Sequence, residues 1–402
     1  MLDRNPTALS SPAPRPIAEL EARAVIAGIG VHIPEPTITN REIVDSFNAY
    51  VAKENAHRQL SGAPLLEPSD PDFIEHASGI KARHVIEKTG VLDPDRMVPD
   101  IPDRADETLS VQAEFAVKSA RRALAAADAD PASVDLVICA AAQHQRPYPA
   151  IAIEVQRELG CGGGGFDMNV ACSSTTFALH IGTNMIASGA ARRVLVTCPE
   201  IMSGHLNFRD RATHFIFGDA SASILLEAAD TSVPARRSNG FNGNGKASGH
   251  WSIVRSDIWT EFSSNIRSNF GFLNRADSST QFEADKLVTQ VGHKVFKEVT
   301  IATERFVTDF LSEAGVTADD LSRLWLHQAN LKMDDLVATK ILGRNFERSE
   351  VPIVLDKYGN TAAPGSLIAF HETNDDLPSG SLGLICSFGA GYSIGALLVR
   401  KD

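Results

Sequence analysis

"VQAEFAVKSARRALAAADADPASVDLVICAAAQ" (111–143) and "EVTIATERFVTDFLSEAGVTADDLSRLWLHQ" (298–328) are the two stretches of this 402-residue chain that decide its fold. Each reads as an amphipathic helix, a turn and a short apolar strand. Shifted by 187 positions, Ala127 meets Ala314, Pro131 meets Ala318 and Val134 meets Leu321. A second echo follows. "ACSSTTFALHIGTNMIASGAARRVLVTCPE" (171–200) and "GNTAAPGSLIAFHETNDDLPSGSLGLICSFG" (359–389) both run turn, helix, Ser-Gly stop, strand. Ser188-Gly189 match Ser379-Gly380 at a shift of 191. Such repetition predicts two α/β halves of one topology. Helices alternating with apolar strands predict largely parallel sheets, covered on both faces. The halves are expected at 23–229 and 286–402. A flexible Pro/Ser-rich arm precedes them at 1–22, and an insertion or cap segment joins them at 230–285.

The length exceeds what one core fills. A net charge of −12 argues against broad nucleic-acid binding and against an anionic membrane surface. No apolar run reaches the length of a membrane span. Five cysteines (Cys139, Cys161, Cys172, Cys198, Cys386) are odd in number and lack metal-site spacing. They predict a reducing, cytoplasmic setting with no disulfide framework and no structural metal. Two glycine strings are set aside. "GIG" at 28–30 lacks the third glycine of a dinucleotide loop and is followed by Pro34 and Pro36, so it is read as a strand end in a tight turn. "CGGGG" at 161–165 lacks the Gly-Lys-Ser/Thr of a phosphate loop and is read as a flexible connection.

The echo places reactive side chains. Cys172 stands between the strand "FDMNVA" and the helix "STTFALHIGTNMIASG"; His327 ends the strand "RLWL"; Asn360 opens the turn that mirrors the Cys172 turn. Singly, these are a buried thiol, a core histidine and a turn residue. Together they lie at strand-to-helix junctions, where ligands collect. A thiol at a helix start is expected to have a lowered pKa. Backbone N–H groups there can hold an oxyanion, and an imidazole and a carboxamide can hold a second one.

"VACSS", "LHQANLK", "YGNTAAPGS", "IFGDASA" and "SFGAGYSIG" make the chain, from about 23 to 400, resemble the 3-oxoacyl-acyl-carrier-protein synthase III family of the thiolase superfamily. The strings "SFNAYV", "GHLNFRDRATHFIFGD" and "FSSNIRSNFGFLNRAD" are most similar to its β-ketodecanoyl synthase subgroup. The resemblance implies a five-layered αβαβα sandwich, a homodimer and a Cys172-His327-Asn360 triad. It implies a decarboxylating condensation of a medium-chain acyl-coenzyme A with malonyl-acyl carrier protein, both as substrates and with no cofactor. Two alternatives stay open: a non-decarboxylating condensation or acyl transfer, and a silent chain-length partner.

The family's pattern also assigns secondary positions. Tyr148 is placed in the partner's acyl pocket. Phe217, Asn330, Phe388 and Ala390 are placed around the substrate, and the 388–391 turn with the N–H of Cys172 at an oxyanion. Gln328, Lys332, Lys340 and Arg344 are placed at the carrier-protein entrance, where Asp334 and Asp335 interrupt the basic face. Phe73 and Ala77 replace the usual Trp and Arg at the coenzyme A adenine, whereas Arg211 is retained. Extra sequence at 45–72 and 230–285 is expected to help build or cover an acyl tunnel.

Overall fold

A computed structural model describes residues 21–229, 250–280 and 283–402. Nearly all of the N-terminal arm and part of the 230–285 segment therefore lie outside the described residues. Nine strands form the main sheet: β1 (Ala24–His32), β2 (Leu136–Ala140), β3 (Gly164–Met168), β4 (Arg193–Glu200), β5 (Ala220–Glu227), β6 (Trp251–Thr260), β7 (Leu321–Leu326), β8 (Leu382–Gly389) and β9 (Ser393–Lys401). Their order is β7-β8-β9-β6-β1-β5-β4-β2-β3. Only a three-residue antiparallel register, Ala24 to Ile26 against Trp251 to Ile253, joins the two halves between β1 and β6.

Helices α1 (Asn40–Ser61) and α2 (Pro71–Ser78) form a cap. Helices α3 (Val111–Ala126), α4 (Ile151–Leu159) and α5 (Ser174–Ala187) belong to the first half. Helices α6 (Gly292–Ala314), α7 (Leu331–Leu342) and α8 (Gly365–Thr373) belong to the second.

Alternation along the strands sorts these helices into layers, because successive side chains point to opposite faces. In β2, Val137 and Cys139 pack with α3 and α4, while Ile138 and Ala140 face α5. In β8, Leu384 and Cys386 pack with α6 and α7, while Ile385 joins the α8 side. Residues of α5 (Ala178, Leu179) and α8 (Leu367 to Phe370) share one core with strands of both halves. The result is the five-layered αβαβα sandwich. Trp251, Trp325 and Phe370 knit its middle layer, with ring centroids 4.8 to 5.5 Å apart.

Three expectations need correction. The sheet is mixed rather than largely parallel: β2–β3, β2–β4 and β7–β8 are parallel, whereas β4–β5, β1–β5, β1–β6, β6–β9 and β8–β9 are antiparallel. β8 and β9 are joined by only three residues, which can make a hairpin but not a parallel crossover. The 230–285 segment is not a single insertion, since β6 is a central strand of the sheet. The glycine strings are ordered. "CGGGG" runs into the edge strand β3, and Gly28 and Gly30 lie within β1.

Gly28 and Gly30 are there because α3 crosses the strand closely. A Cβ at Gly30 would lie 2.2 Å from the Ser119 carbonyl oxygen, and one at Gly28 would lie 2.2 Å from that of Ala123. Backbone atoms cannot yield as a side-chain tip can. Gly30→Ala is therefore expected to cost about 1–3 kcal/mol as overpacking, read as a lower denaturant midpoint. A midpoint unchanged from that of the parent protein would refute the close-packing account.

Candidate active site

The two turns named by the echo are built alike. The Asn169 side-chain oxygen accepts the N–H of Ala171 at 2.9 Å, and that of Asn360 accepts the N–H of Ala362, also at 2.9 Å. Ala171 has φ +48° and Ala362 φ +56°, the left-handed region that costs an L-residue about 1–2 kcal/mol. Asn169 and Asn360, like Ala171 and Ala362, are separated by 191 positions. The copies diverge in what they present. Ala171 is followed by Cys172, and Ala362 by Ala363. Asn169 spends its Nδ2 on the Ala142 carbonyl at 2.7 Å, whereas Asn360 lines a cavity.

His327 follows β7, its N–H donating to the Cys386 carbonyl at 2.8 Å. Its ring meets Phe388 edge-on, centroids 5.3 Å apart. Gly389 then packs on Cys172, where a Cβ would come within 3.0 Å of the Cys172 nitrogen. The end of β8 thus touches both the imidazole and the Cys172 turn. Burial pushes the His327 pKa down to about 4, so the ring is neutral at pH 7 and can donate or accept a proton. Among the described residues its Nδ1 has no hydrogen-bond partner.

The thiol departs from expectation. Burial pushes the Cys172 pKa up to about 12, the charge of Glu200 adds to this, and the Cys172 backbone N–H opposes it. Desolvation outweighs the helix start, because Ser173 through Thr176 are fully buried. The resting thiol is therefore protonated.

Cys172, His327 and Asn360 line one cavity of about 750 Å³. Phe217, Asn330, Phe388 and Ala390 line it too, as do Val295, Phe296, Val299 and Met333, which the sequence did not single out. Phe73 and Arg211, both partly exposed, stand at its mouth, with the guanidinium 4.9 Å from the ring centroid. The side chain of Asn330 caps α7 through Lys332 and Met333 and donates to the Ala77 carbonyl at 2.8 Å. Among the described residues the 230–285 segment reaches the lining through Ile266, whereas 45–72 does not; Phe73 and Ala77 lie on α2, just after it.

Tyr148 is not part of this cavity in its own chain and is 81% exposed. The carrier-entrance residues divide. Gln328 is corrected: it is fully buried, accepting from the N–H groups of Val354 (2.8 Å) and Leu355 (3.2 Å), so it cannot touch a docked protein. Lys340 is paired with Glu304 at 2.5 Å and Arg344 with Glu350 at 2.6 Å. Among the described residues Lys332 is exposed without a carboxylate partner. Asp334 does not interrupt that face, since it is buried, and Asp335 is tied to Arg348 at 2.8 Å.

Cys139, His144 and Asp167 bring ligand-type atoms within 4.8 Å of one another, a grouping the spacing concealed. Asp167 has an ordinary role there: its oxygens accept from the N–H groups of Ile151 (2.7 Å) and Ala152 (2.8 Å) at the start of α4.

A family model described as 3-oxoacyl-[acyl-carrier-protein] synthase III matches residues 166–238, and its C-terminal companion matches 311–401. A β-ketodecanoyl-[acyl-carrier-protein] synthase of Pseudomonas aeruginosa is 47% identical over 362 residues, covering 89% of this chain and 100% of that protein. This chain belongs to the 3-oxoacyl-[acyl-carrier-protein] synthase III family. A further family member, β-ketoacyl-[acyl-carrier-protein] synthase III of Erythrobacter litoralis, is 28% identical, covering 94% of this chain and 99% of its own length. The crystal structure of the synthase III of Aquifex aeolicus superposes with a TM-score of 0.70 at 24% identity, covering 94% of this chain and 99% of that one. It bears out the fold of the family. No helix among the described residues is long and apolar enough to cross a membrane.

Proposed function

We propose that the protein condenses a medium-chain acyl-coenzyme A with malonyl-acyl carrier protein, releasing CO₂, to give a 3-oxoacyl thioester two carbons longer. The observation that carries this reading is the pair of matching turns that bring Cys172 and Asn360, with His327, onto one largely apolar cavity. The Cys172 sulfur attacks the acyl thioester, the neutral His327 takes its proton, and that proton leaves with the coenzyme A thiolate. Malonyl thioester then loses CO₂, and the electron pair moves to its thioester oxygen. The N–H groups of His327 and Asn360 hold that enolate. Its carbon attacks the Cys172 acyl carbon, whose oxyanion meets the Cys172 N–H beside the Gly389 turn. The C–S bond breaks, and the released thiolate takes a proton from solvent to restore the resting thiol.

The exposed Tyr148 suits a second copy of this chain, whose acyl pocket it would complete in a homodimer. Lys332 suits an acidic carrier protein. The Phe73–Arg211 stack at the mouth suits the coenzyme A base. Head-to-head condensation needs a base at the substrate α-carbon, and among the described residues no carboxylate other than Asp210 lines the cavity. A silent partner would not need Cys172.

The name of the Pseudomonas relative specifies a ten-carbon product, which two-carbon extension makes from an eight-carbon primer. Octanoyl has six methylenes more than acetyl. Half their burial, at about 0.8 kcal/mol each, contributes about 2.4 kcal/mol, on the order of 50-fold. Across acetyl-, butyryl-, hexanoyl- and octanoyl-coenzyme A, kcat/KM is therefore expected to climb to a maximum at octanoyl. A maximum at acetyl with octanoyl inactive would reject the medium-chain assignment.

A further inference from the structure

One buried carboxyl has no part in the chemistry above. Glu200 ends β4, is fully buried and does not line the cavity. Its Oε1 accepts the N–H of Ala142 at 2.7 Å and that of Ala363 at 3.4 Å, while Oε2 has no partner among the described residues. Each of these N–H groups belongs to one half of the repeat. The Ala142 carbonyl accepts from Asn169, the side chain that shapes the Cys172 turn. Ala363 follows the Asn360 turn, and its carbonyl accepts from Thr175 of α5 at 2.6 Å. One carboxyl oxygen therefore sits where the two pseudo-symmetric turns meet.

We propose that Glu200 is a positioning residue that ties the Cys172 turn to the Asn360 turn and, through its charge, sets the reactivity of the Cys172 thiol. This rests on the reading of Cys172 as the nucleophile. The titratable groups facing Glu200 are Asp219 and the thiols of Cys139, Cys172 and Cys198. The N–H groups of Ala142, Gln143 and Ala363 favour its ionised form. Burial dominates and pushes its pKa up to about 8, with Asp219 adding to the rise. Near neutral pH the carboxyl is uncharged and does not oppose the thiolate. As pH rises past about 8 it ionises, and its negative charge, which acts on Cys172, disfavours loss of the thiol proton. Thiol reactivity, which otherwise increases with pH, flattens there.

Iodoacetamide alkylation of Cys172, followed by peptide mapping across pH, tests this in the whole protein without needing substrate. The parent is expected to bend near pH 8, whereas Glu200→Gln keeps rising and is alkylated about tenfold faster at about pH 9.5, the equivalent of one pK unit. Glu200→Gln retains an oxygen for the two N–H groups, so Glu200→Ala is expected to lose about tenfold more malonyl decarboxylation than Glu200→Gln, a net hydrogen-bond difference of that order. Coincident alkylation profiles for parent and Glu200→Gln would overturn the charge effect even if Glu200→Ala does not fold. Equal decarboxylation by two folded variants would overturn the tie. Failure of the nucleophile reading is separately visible as the absence of any acyl adduct on Cys172.

Discussion

Cys172→Ala protein incubated with octanoyl-coenzyme A is expected to show no mass increase, where the parent gains one octanoyl group on that residue. Loss should be complete rather than partial, because the other four cysteines are buried away from the cavity and a hydroxyl would not replace a thiol at this site. The thiol faces open cavity, so removing it creates no sealed void, and stability should change by no more than about 0.5 kcal/mol. Ala171 keeps its left-handed φ and Asn169 keeps its bond to the Ala171 N–H, since neither depends on the sulfur. Malonyl decarboxylation should persist, because the donors for the enolate are untouched. An acyl adduct retained by the folded variant would remove Cys172 from the nucleophile's role.

The repeat in the sequence carried the fold further than periodicity alone. A shift of 187 aligns α3 and its strand β2 with α6 and β7, and a shift of 191 aligns α5 and β4 with α8 and β8. What it left out was hydrogen-bond direction in the sheet. β5 and β9 return antiparallel to the strands that precede them, and composition does not distinguish a buried antiparallel strand from a parallel one. β6 was hidden inside an apparent insertion, although "WSIVRSDIWT" has the β-branched and aromatic content of a strand. The glycines of β1 were assigned to a turn because nothing local announces that α3 will cross within touching distance.

The site divides in the same way. Cys172, His327 and Asn360 were visible by type and junction. The repeat also contains Asn169 against Asn360 and Ala171 against Ala362, the signal for the shared turn. Gln328 and Asp334 went wrong because a motif gives order along a chain but not burial. The thiol pKa went wrong for a related reason: the helix start was legible, but the desolvation that outweighs it depends on packing from the other half. Glu200 was invisible, since one glutamate at a strand end resembles any other until both of its N–H donors are placed.

Removing the two enolate donors should not have equal consequences, and the protonated thiol is why. Asn360→Asp keeps an oxygen for the Ala362 N–H, so the turn survives, but it replaces the donor with an acceptor. It is expected to lower malonyl decarboxylation by on the order of 10²–10³-fold, as for loss of one oxyanion donor. Acyl loading, which does not use that donor, should be much less affected. His327→Ala should show the same loss in decarboxylation and a second loss in loading. A thiol held up at about 12 is ionised in only about one molecule in 10⁵ at pH 7, so loading needs the imidazole as base. The loading defect of His327→Ala should shrink as pH rises toward 8, since solvent then removes the proton, whereas the decarboxylation defect should not recover. Pre-steady-state acylation and malonyl decarboxylation, measured separately across pH, distinguish the two roles. Loading insensitive to His327→Ala at pH 7 would make the imidazole a donor only, and decarboxylation insensitive to both substitutions would place the enolate elsewhere.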